Sequence, residues 1–422
     1  MGDQSSQKHV VIIGAGFGGL ACARKLAREK SVKVTLIDRR NHHLFQPLLY
    51  QVATSTLSAP DIARSTRSLF SKKDEVDIVY DQVEGIDLEG KGLSFASGKG
   101  MSYDSLVIAT GVKTSFFGND HWGEHVSQLK SLSDAFGIRK RVLKNLEVLD
   151  RTGGQVDEGL STVVIVGGGP TGVELAGAFS DLIQRTMAKS FRHADVSKQR
   201  IVLIEGQDRL LTGFHEKQSQ YTKDQLEESG VEVRTGCMVQ NIEKNKVTLK
   251  DGETIVAGVI IWAAGVEATG ITRKLGADLN RSGQVKVAPD LSVPGHPEVY
   301  VIGDAAAVYE FDGTPVPGVA PAATQEGQYV AKRILSPRKP DEDPFEYFDK
   351  GKMAIVGKGA AIVDVRGWRI NGFFGWMMWL FIHLVFLVDF RSKVGVLASW
   401  FWAYARNKPG SRVFTDSSAG EG

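Results

Sequence analysis

Cysteine is nearly missing from this chain of 422 residues: it has two, Cys22 and Cys237, and neither belongs to a CxxC pair. That excludes a disulfide framework and a zinc site built on cysteine pairs, and it fits a reducing compartment. Apolar runs long enough to cross a bilayer are also lacking. The run 373–388 is apolar apart from His383, but it has 16 residues, short of the roughly 20 that a spanning helix needs. The N-terminal residues MGDQSSQKHVVIIG pass from a short polar lead straight into a strand-like run. No signal peptide is therefore expected, and the bulk of the protein is expected on the cytoplasmic (or organelle-matrix) side. A large excess of one charge is missing too. The net charge is +2, so no acidic polymer, and no nucleic acid, is expected as a partner.

What is present begins with glycine, at 47 residues, in a chain long enough for two or three domains. Charge is uneven. Between Lys350 and Arg412 there are ten Lys/Arg and two Asp/Glu, a local net of +8 that leaves −6 for the rest. A basic end on an acidic body suggests an anionic surface as partner, the alternative being a solvated basic tail. Two short patterns are read as chance matches: the myristoylation pattern at Gly2 and Ser6, and the glycosylation sequon at Asn280.

Val10–Ile13 is a continuous apolar run, as expected of a buried parallel strand. Gly14, Gly16, Gly18 and Gly19 follow, then a helix-like segment from Leu20 to Lys30, then a strand-like run ending in Asp38. This is a complete βαβ dinucleotide unit. Gly14 allows the tight turn, Gly16 lets backbone approach a pyrophosphate, and Gly19 permits close helix–strand packing. The helix N-terminus offers free N–H groups to the phosphates, and Asp38 can accept both hydroxyls of an adenosine ribose. The pattern recurs with the strand Thr162–Val166, the turn Gly167, Gly169 and Gly172, and the strand Ile201–Ile204 ending in Glu205. An acid there repels a 2′-phosphate and favours NADH over NADPH, although nearby Arg209 keeps NADPH open. The polar stretch Arg151–Leu160 reads as the linker before this second unit.

Three further stretches complete a set. They are Tyr103–Gly111 with its Ala109-Thr110-Gly111 end, Val259–Gly265, and Val299–Ala306 containing Gly303-Asp304. In this order the motifs resemble the two-dinucleotide-binding-domain flavoprotein superfamily, also described as pyridine nucleotide-disulfide reductase-like. The resemblance implies an α/β fold of two Rossmann-like domains, with FAD and NADH as cofactors. The implied domains are an FAD domain in two segments, 8–115 and 285–340, an NADH domain at 116–284 inserted between them, and a C-terminal membrane-surface region at 341–410. It implies FAD contacts at Gly14, Gly16, Gly18, Gly19, Asp38, Arg39, Val83, Ala109, Thr110, Gly111, Gly303, Asp304, Ala323 and Thr324. NADH contacts are implied at Gly167, Gly169, Gly172, Glu205 and Gly265.

The disulfide-reducing members need paired cysteines beside the flavin, and this chain has none. Arg40–Tyr50, RNHHLFQPLLY, is similar to a segment of the type II NADH:quinone oxidoreductases. Ala320–Gln325, APAATQ, falls where that family has A-Q-x-A-x-Q, with Pro321 in place of the first Gln and Gln325 matching the last. Pro321 also suits the first turn of a helix. Trp368 to Tyr404 holds twelve aromatic residues, including five of the seven tryptophans. Trp376, Trp379, His383, Phe386 and Phe390 keep helical spacing, and Val394, Leu397, Phe401 and Tyr404 repeat it. Arg391, Lys393, Arg406 and Lys408 flank them. Aromatic-rich helices with basic flanks are expected at a membrane interface and on anionic lipid; a buried core or homodimer helix is the alternative.

The resemblance thus implies a non-proton-pumping NADH:quinone oxidoreductase, peripheral to a membrane and with no need of a metal; a homodimer is expected as well, since the aromatic C-terminus could also serve one, although the oligomeric state stays open. Hydride would pass from NADH to FAD, and two electrons from there to a membrane quinone. Glu174, just inside the helix after the second turn, is implied as a proton-handling residue, and Gln325 as a quinone-side one. On its own, Glu174 would simply favour its helix N-terminus, and His383 is read as structural. Two other functions compete: an NADH-dependent flavoprotein reductase of a soluble protein acceptor, and a non-enzymatic redox-responsive flavoprotein.

Overall fold

The computed structural model describes residues 7–155, 159–185, 187, 190–191, 193–195, 198–406 and 412–414. Gly2, Ser6 and Lys408 lie outside the described residues, as do the middle of the Arg151–Leu160 stretch and the side chain of Arg406. The chain divides into two compact units, each made of three separate segments.

The first unit comprises 1–44, 63–113 and 266–350. Its frame is a six-stranded sheet in the order Ser292–Val293, His296–Val301, Ser105–Ile108, Lys8–Ile13, Val32–Asp38, Val76–Tyr80. All neighbours are parallel except the first pair. Val10, Val11 and Ile12 are fully buried at its centre, as a parallel strand covered on both faces requires. The helices Phe17–Leu26 and Ala320–Leu335 pack so closely that a Cβ on Gly327 would run into the Gly18 carbonyl oxygen. Cys22 is buried in the first of these helices, and burial pushes its thiol far above the usual range, so it stays a packing residue.

The second unit comprises 45–62, 114–265 and 351–422. Its four-stranded parallel sheet runs Val231–Arg234, Arg200–Ile204, Thr162–Val166, Val259–Trp262. The long helix Leu132–Thr152 begins on a reciprocal cap: the Ser131 hydroxyl accepts from the Asp134 N–H, and the Asp134 carboxylate from the Ser131 N–H. It ends on left-handed Gly153, so both helix ends have their free backbone groups met locally.

The divisions differ from those expected in three places. The segment 45–62 belongs to the second unit, not to the first dinucleotide domain, because Phe45, Leu48, Leu49, Tyr50, Val52 and Ala53 are all buried there. The return to the first unit comes at 266 rather than 285. The C-terminal region is part of the second unit from 351 onward, opening with an antiparallel sheet, Lys352–Gly357, Ala360–Val365 and Trp368–Asn371.

Two helices close the described chain, Gly372–Phe386 and Phe390–Arg406. The expected aromatic stripe is split. Trp376 and Trp379 are buried, and His383 stacks on Trp379 at 3.9 Å, its Nδ1–H donating to the Trp379 carbonyl. Burial pushes the His383 imidazole down to about 4, so it is neutral. The exposed side is instead Phe373, Phe374, Met377, Phe381 and Val385. A helix that is apolar all round has no polar face from which periodicity could tell inside from outside.

The helix Pro170–Arg185 packs on the strand Lys352–Gly357 at Gly177, where a Cβ would run into the Val356 carbonyl oxygen. Gly177→Ala is therefore expected to overpack this contact at a cost of about 1–3 kcal/mol, read as a Tm lowered by several degrees. An unchanged Tm would mean that strand and helix part without strain.

Candidate functional site

In the first unit the glycine turn is fixed by close approaches. Gly14 adopts φ +105°, and a Cβ there would strike the Ala109 carbonyl; a Cβ on Gly19 would strike the Gly14 carbonyl. Gly16, in contrast, faces open space. The Ala15 N–H donates to Asp38 Oδ2 at 2.7 Å, and the Arg40 N–H to Asp38 Oδ1 at 2.7 Å. On its other side, the Ala15 carbonyl lies 2.9 Å from His43 Nδ1. A carbonyl only accepts, so Nδ1 carries the proton. Burial pushes the imidazole down to about 4 and keeps it neutral. In a trans peptide the C=O and the following N–H point opposite ways. Holding the Ala15 carbonyl toward His43 therefore turns the Gly16 N–H the other way. His43 was quoted in the sequence only as part of a loop motif.

The other predicted residues of this unit lie on the same sheet edge or beside it. Ala109, Thr110 and Gly111 follow the strand Ser105–Ile108, and Gly111 takes φ +63°. The Thr269 hydroxyl donates to Thr110 Oγ1 at 2.8 Å. Arg39 is exposed, and Val83 is buried at the start of the strand Val83–Asp87. Gly303 turns the chain after the strand His296–Val301 with φ +65°. Its N–H donates to the Glu326 carboxylate. Gly303, Asp304, Gly318, Ala323 and Glu326 line a small cleft. The Thr324 hydroxyl turns back to the Ala320 carbonyl. Glu326 carried no signal in the sequence. Burial raises its carboxyl to about 7, the Gly303 N–H opposing and Asp304 adding to the rise.

The second unit repeats the first loop's geometry. Gly167 takes φ +115°, and a Cβ there would lie 2.7 Å from the backbone of Ala263; Gly172 would strike the Gly167 carbonyl; Gly169 faces open space. The Gly168 N–H donates to Glu205 Oε2 at 2.6 Å and the Gln207 N–H to Glu205 Oε1 at 2.7 Å, matching Ala15, Arg40 and Asp38. Arg209 is spent locally, on the carbonyls of Phe214 and Thr212 and the hydroxyl of Ser219. A Cβ on Gly265 would sit 2.6 Å from the ring of exposed Phe117. In both loops the bare glycine over open space and the anchored acid fit a dinucleotide.

Glu174 opens into a cleft within the second unit, lined also by Tyr50, Gln51, Asp181, Lys358 and Tyr404, with Leu182, Ile355 and Ala403 as apolar wall. Burial raises its carboxyl to about 8, the Ile355 N–H working against the rise. Burial, and then the Glu174 charge, hold the Tyr50 phenol well above its ordinary value. The Lys358 N–H donates to Asp181 at 2.8 Å, and Lys358 Nζ donates to the Tyr404 carbonyl at 2.6 Å. Asp181 and Lys358 had no motif to mark them, and Tyr404 was marked only as part of the spacing of the C-terminal aromatic stretch. Gln325 does not line this cleft. It belongs to the first unit, where its amide donates to the carbonyls of Pro321 and Phe348 and accepts from the Phe348 N–H. These bonds tie its side chain to the backbone at Phe348.

Residues 8–327 match the family model described as pyridine nucleotide-disulphide oxidoreductase. The chain is 40% identical to the type II NADH:quinone oxidoreductase Ndh of Mycobacterium tuberculosis, over 99% of this chain and 92% of that one. It is 32% identical to the type II NADH:quinone oxidoreductase of Haemophilus influenzae, over 84% of this chain and 86% of that one. Its fold is that of NDH2 from Plasmodium falciparum, solved in complex with NADH, with a TM-score of 0.86 at 22% identity, covering 94% of this chain and 98% of that one. Two glycine turns, each tied to a strand-end acid, are what such a fold requires, and the chain belongs to the pyridine nucleotide-disulphide oxidoreductases and, among these, to the type II NADH:quinone oxidoreductases.

Proposed function

We propose that this protein oxidises NADH and reduces a membrane quinone without pumping protons, with FAD on the turn at Gly14–Gly19 and NADH on the turn at Gly167–Gly172. The observation that carries this reading is the doubled cradle: Asp38 and Glu205 each fasten their loop through the same pair of backbone N–H bonds. Glu205 disfavours a 2′-phosphate, and local bonds to Phe214, Thr212 and Ser219 hold the neighbouring Arg209. A bound flavin supplies the two-electron chemistry, taking up hydride and releasing the electron pair to the quinone. The protein's own groups hold the phosphates, set ring orientation and manage protons. Anaerobic mixing with NADH should bleach the flavin absorbance, and a short-chain quinone should restore it rapidly. Bleaching without recovery would leave a flavoprotein that serves some other acceptor.

The Glu174 cleft is assigned to the quinone headgroup, which needs protons as well as electrons. With its carboxyl at about 8, Glu174 keeps its proton at neutral pH and can donate it. The sign follows directly: the donor is lost as pH rises through about 8. Quinone turnover is expected to fall across that range. Glu174→Gln should remove this limb of the pH profile and lower turnover by about 10–100-fold. A variant with wild-type turnover would end the proton role.

We also infer that the protein rests on a membrane surface. Among the described residues no helix is long and apolar enough to cross a membrane. Phe374, Phe381, Phe390, Leu397 and Phe401 are more than half exposed on the last two helices, beside Arg391 and Lys393. Apolar rings with adjacent cations suit the boundary between headgroups and acyl chains. In flotation with vesicles containing anionic lipid, the wild type should rise with the lipid and Phe374→Glu/Phe381→Glu should largely remain below. Equal flotation of both would move the contact elsewhere.

A further inference from the structure

Gln51 is 1% exposed and lies in the helix Leu49–Ala53 beside Tyr50, which is 4% exposed. Trp400, in the helix Phe390–Arg406, is also buried, and its indole nitrogen lies 2.7 Å from Gln51 Oε1. Gln51 Nε2 lies 2.8 Å from the Tyr50 hydroxyl. The two ends of a carboxamide have nearly the same shape, so its orientation follows from its partners. Here Trp400 decides it. An indole N–H can only donate, so the atom facing it must be the amide oxygen. The NH2 end then faces Tyr50, and the Tyr50 oxygen must accept.

A phenol has a single proton. Since the Tyr50 oxygen accepts from Gln51, that proton is directed away from Gln51, and Tyr50 lines the cleft that Glu174 enters. The phenol keeps its proton throughout the ordinary pH range because burial opposes its ionisation, and Glu174, once ionised at higher pH, adds to this. Trp400 meanwhile shares its helix with outward Leu397 and Phe401. One helix thus carries both an exposed apolar side and the donor that starts this chain of bonds.

We propose that Tyr50 donates a hydrogen bond to a carbonyl oxygen of the acceptor bound in the Glu174 cleft, and that Trp400 orients it through Gln51. Tyr50 touches the acceptor; Gln51 and Trp400 are positioning residues. The assignment rests on the quinone reading of the cleft. It makes the last helix part of the site's hydrogen-bond order, in addition to any role at a membrane.

The test uses the full-length flavin-loaded enzyme and separates its two half-reactions, with a short-chain ubiquinone as acceptor. Tyr50→Phe should lower kcat/KM for the quinone by about 10-fold, and Trp400→Phe, which keeps a ring but removes the N–H, by about 3–10-fold. The double variant should be no slower than Tyr50→Phe alone, because both changes break one chain. The rate of flavin bleaching by NADH should match the wild type in all three. Should Trp400→Phe fold poorly, Gln51→Met interrupts the chain at its middle and should reproduce the same pattern. Wild-type kcat/KM in Tyr50→Phe, or losses that multiply in the double variant, would overturn the relay. A wild-type enzyme that NADH bleaches and ubiquinone does not restore would instead overturn the quinone reading on which the relay rests.

Discussion

A carboxylate fastened to a glycine turn is the interaction on which the rest of this structure's chemistry depends. Phosphate-binding turns must leave their backbone N–H groups open, and an open turn is poorly held by its own hydrogen bonds. Asp38 and Glu205 resolve this in the same way, each bonding the N–H just after the first glycine and a second N–H beyond the strand. A turn tied in this way has less freedom left to lose, which would lessen the ordering entropy met on binding a nucleotide. Charge-assisted bonds of this kind are also stronger than neutral ones. In the first unit His43 adds a second tie on the opposite side of the same residue, Ala15.

The Glu174 cleft works by a different physical means. It places two acids, two phenols and a lysine against the walls made by Leu182, Ile355 and Ala403, where ionised forms are poorly solvated. Burial therefore dominates the titration of Glu174 and Tyr50 and favours their protonated states. Groups that hold protons at neutral pH are suited to an acceptor that must gain them. The cleft exists because Gly177 admits the strand Lys352–Gly357 to the surface of the helix Pro170–Arg185, which brings Ile355 and Lys358 to the side of Glu174 and Asp181.

Much of the site was legible because its requirements are local. Gly14, Gly19, Gly167 and Gly172 are dictated by contacts a few residues away or on an adjacent strand, where any Cβ would collide with backbone, and a spacing pattern records that constraint. Glu174 was singled out only through the family resemblance, since on its own it would simply favour its helix N-terminus. Glu326, Asp181 and Lys358 had no such pattern, since each gains its neighbours through long-range packing, and the spacing that marked Tyr404 did not point to this cleft. Gln325 illustrates the converse. The resemblance marked it as a quinone-side residue, and only the fold shows that its amide bonds the backbone of Phe348.

The amino-acid order by itself determined the two βαβ dinucleotide units, their acids and the absence of paired cysteines, because turn sterics, strand burial and thiol count are properties of short stretches. Only the tertiary structure decided that 45–62 packs with the second unit, that Trp376 and Trp379 turn inward while Phe374 and Phe381 turn outward, and that Trp400 reaches Gln51. These depend on which apolar surface finds a partner. A wholly apolar helix or a short apolar loop can bury any of its sides, and the choice is made by shape and hydrogen-bond satisfaction among segments far apart in the chain.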